Sequence, residues 1–193
     1  HVMAVGAVIA ERFLVARFGE TVAQKTYAFI SDGGIQEEIS AGAGRIAGYL
    51  GLNNLIMFYD SNDVQLSTDV NEVTDEDVAA KYRAWNWNVL EINGNDAEEI
   101  AKSIESALAE QDRPTLIIGK TIMGLGCVTP EGANFEGMCS THGQPLSKSG
   151  ASYEKTVENL GGDMNDPWKI WDDVAELYAS RKAELETIVA ARY

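Results

Sequence analysis

Asp32 and Asn62 are the two side chains whose types and placement best suit binding chemistry. Asp32 stands in Ser31-Asp32-Gly33-Gly34, directly after the apolar stretch 27–30 and before a helical pattern. Asn62 stands in Tyr59-Asp60-Ser61-Asn62-Asp63-Val64, at the end of the next apolar stretch. Taken alone, the first motif reads as a strand-to-helix turn, with glycine relaxing the backbone and the acid capping the helix. The second motif changes that balance. Consecutive strands of a parallel sheet commonly lie side by side, so Asp32 and Asn62 are expected at one carboxyl edge, where open α/β sheets bind ligands. The pair offers one carboxylate and one neutral amide oxygen, and a backbone carbonyl near Val64 would add a third oxygen. Hard oxygen donors of low total charge suit Mg²⁺ or Ca²⁺ completed by a diphosphate and water. The spacing of the two residues is that of one βαβ unit.

The elements that would position them follow from hydrophobic period. Residues 26–30, 55–60, 88–92 and 115–120 read as buried strands, the second and fourth almost continuously apolar. Continuous runs mean that both faces are covered, as in a parallel sheet. Helical patterns occupy 2–18, 35–50, 75–85 and 97–110. Thr74 with Asp77 resembles a capping box, and Asp96 is placed to cap the next helix. The expected fold is α/β: a doubly wound, mostly parallel sheet flanked by helices, with right-handed crossovers. One unit is expected over 1–193. After Lys120 the texture changes to a glycine-rich loop over 122–150, and C-terminal helices are expected at 151–160 and 167–190. Loops of that length inside a domain are functional or mobile.

The chain has 193 residues and a net charge of −15. That length suits one domain. The charge opposes non-specific binding to nucleic acid or an anionic membrane. No stretch reaches the ~20 apolar residues of a membrane helix. The opening His1-Val2-Met3 lacks the basic start and apolar block of a secretory leader. Cys127 and Cys139 make no disulfide framework, so a cytoplasmic setting is expected.

An Asp-Gly after a strand, followed one βαβ unit later by Asn, is similar to the metal-diphosphate motif of thiamine diphosphate enzymes. Longer words narrow this. Ser31-Asp32-Gly33-Gly34-Ile35-Gln36-Glu37, Leu50-Gly51-Leu52-Asn53-Asn54-Leu55-Ile56 and Tyr59-Asp60-Ser61-Asn62 resemble transketolase. So do Trp87, Gly94-Asn95-Asp96, Pro114-Thr115-Leu116-Ile117 and Thr141-His142-Gly143-Gln144-Pro145-Leu146, all in transketolase order. The resemblance implies transfer of a two-carbon ketol unit between sugar phosphates, in the pentose phosphate pathway. It implies thiamine diphosphate as cofactor, with Mg²⁺ or Ca²⁺, in a homodimer. Asp32 and Asn62 match the side-chain metal ligands and Val64 the backbone-carbonyl ligand. Gly33 matches the close backbone approach to the diphosphate, and Met123 an apolar residue packed near the cofactor. His142 matches a catalytic histidine beside the diphosphate and the substrate. Glu37 matches an acid near the subunit interface. Ser31 stands where the family has glycine, and Glu38 where glycine follows the Gln-Glu pair. The resemblance covers one portion of the family's first domain, so it implies a fragment or one subunit of a split enzyme. The isolated chain is expected to be inactive, and the loop 122–150 is expected to fold over the cofactor in the complete enzyme.

Other thiamine enzymes, a deoxyxylulose-phosphate synthase or a 2-oxo acid dehydrogenase component, are rivals, as is a non-catalytic α/β interaction module. Gly42-Ala43-Gly44-Arg45-Ile46-Ala47 mimics a dinucleotide fingerprint, but it lies inside a helical pattern, where close packing is the simpler reading. Cys127, Cys139 and His142 fit no standard zinc spacing. Trp85, Trp87, Trp168 and Trp171 read as core or interface anchors.

Overall fold

The computed structural model describes residues 1–190, so the last three residues of the expected 1–193 unit lie outside the described residues. Strands β1 (Thr26–Ser31), β2 (Leu55–Ser61), β3 (Asn88–Asn93) and β4 (Thr115–Lys120) form one sheet in the order β1-β2-β4-β3. Every pairing is parallel. The two apolar runs, β2 and β4, are the central strands and are buried along most of their length. The more mixed sequences of β1 and β3 take the edges, where one side of each strand meets no neighbour.

Helices cover the two faces unequally. Alternation along β2 sends Leu55, Met57 and Tyr59 to one face and Ile56 and Phe58 to the other. The first face meets α1 (Val2–Phe18), α2 (Asp32–Gln36), α3 (Glu38–Tyr49) and α4 (Val78–Ala84) in a core that includes Val8, Ile35, Ala47, Tyr82 and Trp87. Full burial of each large apolar side chain there is worth about 1.5–3 kcal/mol. Among the described residues, the second face meets α5 (Ala97–Ala109), through Ala107 in a cluster with Ile56 and Ile117. Phe58 packs against this cluster and also against Phe29, which is 80% exposed.

The glycines of the fingerprint-like stretch lie within α3 and serve packing. Gly44 has no side chain to keep the Trp85 ring away, and its carbonyl accepts from Trp87 Nε1 at 2.8 Å. A Cβ at Gly48 would come within 1.7 Å of the Trp85 carbonyl oxygen. Trp85 and Trp87 are therefore core residues, whereas Trp168 is 87% exposed and Trp171 also reaches solvent.

Several boundaries differ from expectation. The helix expected over 35–50 is two helices, α2 and α3, because Glu37 takes an extended conformation (ψ 133°) between them. The helix expected over 75–85 starts later, at Val78. Its cap is Asp77, which accepts from Ala80 N at 2.8 Å, while Thr74 Oγ1 accepts from Glu76 N in the preceding turn. No capping box forms there. Asp96 does cap α5, accepting from Glu98 N and Glu99 N.

The loop 122–150 contains a short helix, α6 (Leu146–Ser149), and is followed by α7 (Tyr153–Asn159) and α8 (Asp172–Ala190). Both last helices are shorter than expected, α7 capped by Ser152 and α8 beginning after Trp171. The loop is tied to itself by Phe135 N to Cys127 O and Gly137 N to Met123 O, both 2.8 Å. It is tied to α7 by Asn159 Nδ2 to Gly126 O at 2.9 Å. Among the described residues, no helix is long and apolar enough to cross a membrane.

Candidate functional site

The register pairs Ile30 with Tyr59 and Ser31 with Asp60, so β1 and β2 end level. Asp32 and Asn62 follow at the same carboxyl edge. The Asp32 carboxylate is 1% exposed. Its Oδ1 accepts from the Tyr59 hydroxyl at 2.5 Å and its Oδ2 from the Asn62 N–H at 3.0 Å. Asp32 is thus the first residue of α2 but does not cap it; its oxygens turn inward to the neighbouring strand. Burial pushes its carboxyl above the ordinary range, against the lowering pull of those two donors. Burial, and then the bond to Asp32, pushes the Tyr59 hydroxyl up, so that it remains a donor.

Asn62 Oδ1 accepts from Val64 N at 3.0 Å, and Asn62 Nδ2 donates to Asp60 Oδ2 at 3.3 Å. Asp60 Oδ1 accepts from Thr121 Oγ1, at the end of the adjoining β4. Between Asn62 and Val64, Asp63 has φ 65°, a left-handed conformation that bends the chain sharply as it leaves the sheet. No donor among the described residues reaches the Val64 carbonyl oxygen. The Asp63 side chain is paired with Lys120.

Two open clefts meet at this edge. One, of about 1060 Å³, is lined by Asn62, Val64, Asn95, Lys120 and Met123, among others. The other, of about 380 Å³, shares Asn62, Asn95, Thr121 and Met123 and adds Phe29 and Asp60. Asn62, Val64 and Met123 therefore share a cleft, while Asp32, Gly33 and His142 do not line either one. Asp32 lies beneath the edge and Gly33 is exposed at the start of α2.

His142 comes to this end of the sheet through the loop. Cys139 Sγ donates to Asp69 Oδ1 at 3.4 Å, and the Cβ position of Gly143 is 3.8 Å from Leu66. The stretch around His142 thus rests on the segment that follows Val64. His142 Nδ1 and Gln65 Nε2 are buried without hydrogen-bond partners among the described residues. Glu37 is exposed between α2 and α3. No cluster of three or more His, Cys, Asp or Glu side chains among the described residues is arranged for a metal. The Asp32, Asn62 and Val64 set is of a different kind: one carboxylate, one amide oxygen and one carbonyl oxygen.

That set fits a divalent ion carrying a diphosphate. Its single negative charge leaves positive charge on the ion for the phosphates, a cation would offset the buried carboxylate, and the Val64 oxygen is free to accept. Sequence reasoning did not single out Tyr59, Asp60 or Thr121 as parts of the site. Their only signal was polarity at the ends of otherwise apolar strands.

Comparison with known proteins identifies the relatives of the chain. Transketolase of Geobacillus stearothermophilus is 40% identical over 158 residues, covering 79% of this chain and 23% of that protein. Dihydroxyacetone synthase of Pichia angusta is 34% identical over 192 residues, covering 96% and 26%. The solved transketolase from Leishmania mexicana superimposes with a TM-score of 0.82 at 27% identity, over 97% of this chain and 28% of that one. The Campylobacter jejuni transketolase gives 0.74 at 34% identity, over 86% and 25%. The chain thus spans about a quarter of the length of these relatives. They favour transketolase over the other thiamine enzyme families raised above. The family model for the transketolase thiamine diphosphate-binding domain matches residues 2–192, and the chain belongs to that family.

Proposed function

We propose that the chain provides the diphosphate- and metal-binding part of a transketolase, which transfers a two-carbon ketol unit between sugar phosphates. The observation that carries this reading is the convergence of Asp32 and Asn62, joined by the 3.0 Å bond from Asn62 N to Asp32 Oδ2, at the ends of adjoining parallel strands. The side-chain oxygens of Asp32 and Asn62 and the carbonyl of Val64 would hold Mg²⁺ or Ca²⁺. The exposed Gly33 leaves room for a diphosphate beside the backbone, and Met123 supplies an apolar wall of the cleft. His142, with an unpartnered ring nitrogen, would hydrogen-bond the diphosphate or the substrate. When bound, thiamine diphosphate supplies the carbanion chemistry.

Activity requires more surface than this chain carries. The remaining domains, or a second subunit, would complete the site in a cytoplasmic homodimer, with Glu37 near the interface. Thermal melting of the chain with Mg²⁺ and thiamine diphosphate tests the reading. At a hundredfold excess over Kd, binding adds about 2.7 kcal/mol of stability. Asp32→Ala should abolish that gain. Its ligand-free stability should fall as well, because the Tyr59 hydroxyl and the Asn62 N–H lose their acceptor, with relief of a buried charge offsetting part of that loss. An Asp32→Ala variant that keeps the full ligand-induced gain would refute the assignment.

A further inference from the structure

Tyr59 and Asp60 are neighbours on β2, so their side chains leave opposite faces of the sheet. Tyr59 belongs to the larger core, and its hydroxyl reaches Asp32 Oδ1 at 2.5 Å. With Asn62 N on the other oxygen, the carboxylate has a donor on each side and cannot rotate without losing one. A carboxylate has about four lone-pair directions. Two are taken here, and those left over are fixed in space.

Asp60 does the corresponding work on the opposite face. Its Oδ2 accepts from Asn62 Nδ2 at 3.3 Å, and its Oδ1 is held by Thr121 Oγ1. An amide whose nitrogen is committed to a carboxylate keeps its oxygen pointed the other way. That bond, together with the one Asn62 Oδ1 accepts from Val64 N at 3.0 Å, fixes the amide and leaves the second lone pair of its oxygen available to a cation. Thr121 belongs to the segment after β4, so the arrangement is braced across adjoining strands.

We propose that Tyr59 and Asp60 are a positioning pair: Tyr59 orients the Asp32 carboxylate, and Asp60, braced by Thr121, orients the Asn62 amide oxygen. Neither needs to touch the ion. The proposal rests on the reading of Asp32 and Asn62 as ion ligands. It adds that two consecutive residues of one strand, on opposite faces, set the directions of both. Hydrogen-bonded partners of ligating groups commonly change metal affinity by about 10- to 100-fold when removed.

The test is calorimetric titration of Mg²⁺, and separately Ca²⁺, into the chain with thiamine diphosphate present. Wild type is compared with Tyr59→Phe, Asp60→Ala, Asp60→Asn and Asp32→Ala, each checked by melting without ion. Tyr59→Phe and Asp60→Ala should weaken Mg²⁺ by about 10- to 100-fold. Ca²⁺ should weaken less, because it accepts irregular oxygen geometry whereas Mg²⁺ demands a near-octahedral one. Asp60→Asn should retain most of the affinity. Its amide oxygen can still accept from Asn62, and the Thr121 hydroxyl can reverse to accept from its nitrogen. Equal loss of both ions would mark general damage and overturn the proposal, as would Asp60→Asn behaving like Asp60→Ala. Unchanged Mg²⁺ affinity in both truncations, with Asp32→Ala not binding, would overturn the pair and leave the ion site standing. Absence of Mg²⁺ binding by wild type would overturn the ion site and the pair together. Should Tyr59→Phe not fold, the ratio of Mg²⁺ to Ca²⁺ loss in Asp60→Ala decides.

Discussion

The two edges of the parallel sheet use similar polar residues to opposite ends. At the amino edge, the Arg12 guanidinium donates to the carbonyls of Leu50 and Gly51 and to Asn53 Oδ1. Glu11 accepts from Gln24 N and Asn54 Nδ2, Lys25 donates to Asn53 O, and Asn53 Nδ2 donates to Gln111 O. Most of these bonds close on main-chain groups, fastening the ends of α1 and the turns that lead into β1, β2 and β4. At the carboxyl edge, Tyr59, Asp32, Asn62, Asp60 and Thr121 bond chiefly to one another. There the Val64 carbonyl and His142 Nδ1 have no partner among the described residues. A network that ends on backbone stabilises a fold. A network that ends on itself, with acceptors to spare, is set for a ligand.

The largest effect that would sharpen this contrast is expected for Glu11→Ala. Glu11 is buried, and its removal takes the acceptor from the Gln24 N–H and one of two acceptors from the buried Asn54 amide, which keeps only the Val8 carbonyl. Taking the acceptor from a buried hydrogen-bonded network costs about 1–3 kcal/mol. Chemical denaturation should show a loss in that range, with the stabilisation by Mg²⁺ and thiamine diphosphate intact, whereas Asp32→Ala loses that stabilisation. Loss of the ligand-induced gain in a folded Glu11→Ala protein would break the contrast.

A second, intermediate effect concerns exchange rates. Without cofactor, amide hydrogens across 124–145 should exchange faster than those of β2, whose amides lie in the centre of the sheet. Adding Mg²⁺ and thiamine diphosphate should slow the loop and leave the amino edge unchanged. Protection of 124–145 equal to that of β2 in the unliganded chain would show that the loop needs no partner.

The smallest effect is a pH dependence at the amino edge. The Asp112 N–H, at 2.9 Å, and then Arg113, at 2.8 Å, hold the Glu110 carboxyl below its usual range. Its stabilising contribution is therefore present above the unfolded pKa and lost as pH falls through the lowered folded value. Glu110→Gln should melt slightly lower than wild type at neutral pH, and the difference should close in acid. A difference that stays constant with pH would assign the effect to something other than ionisation.

Much of this was legible from residue order. β2 and β4 announced themselves because a strand covered on both faces must be apolar throughout. Asp32 and Asn62 were placed at one edge because parallel neighbours end together, and this needed no side-chain detail. The break at Glu37 was hidden, since neither glycine nor proline marks it and the residues on either side both suit a helix. Tyr59 and Asp60 were hidden for another reason. Their partners are set by register and by which face each side chain leaves, and a one-dimensional pattern does not specify the far end of a hydrogen bond. The role of Gly48 was likewise unreadable, because the Trp85 carbonyl that excludes a side chain there is remote in sequence.

The contact of Cys139 with Asp69 has a practical consequence. Burial, and then the Asp69 carboxylate, pushes the Cys139 thiol above its ordinary range, while Cys127 is buried. Thiolate is the form that alkylating reagents attack. With the loop seated, labelling at neutral pH should be slow, and once Cys139 parts from Asp69 it should quicken. The chain therefore carries a native reporter: the kinetics of dye or spin-label uptake at one thiol time the lifting of the segment that holds His142.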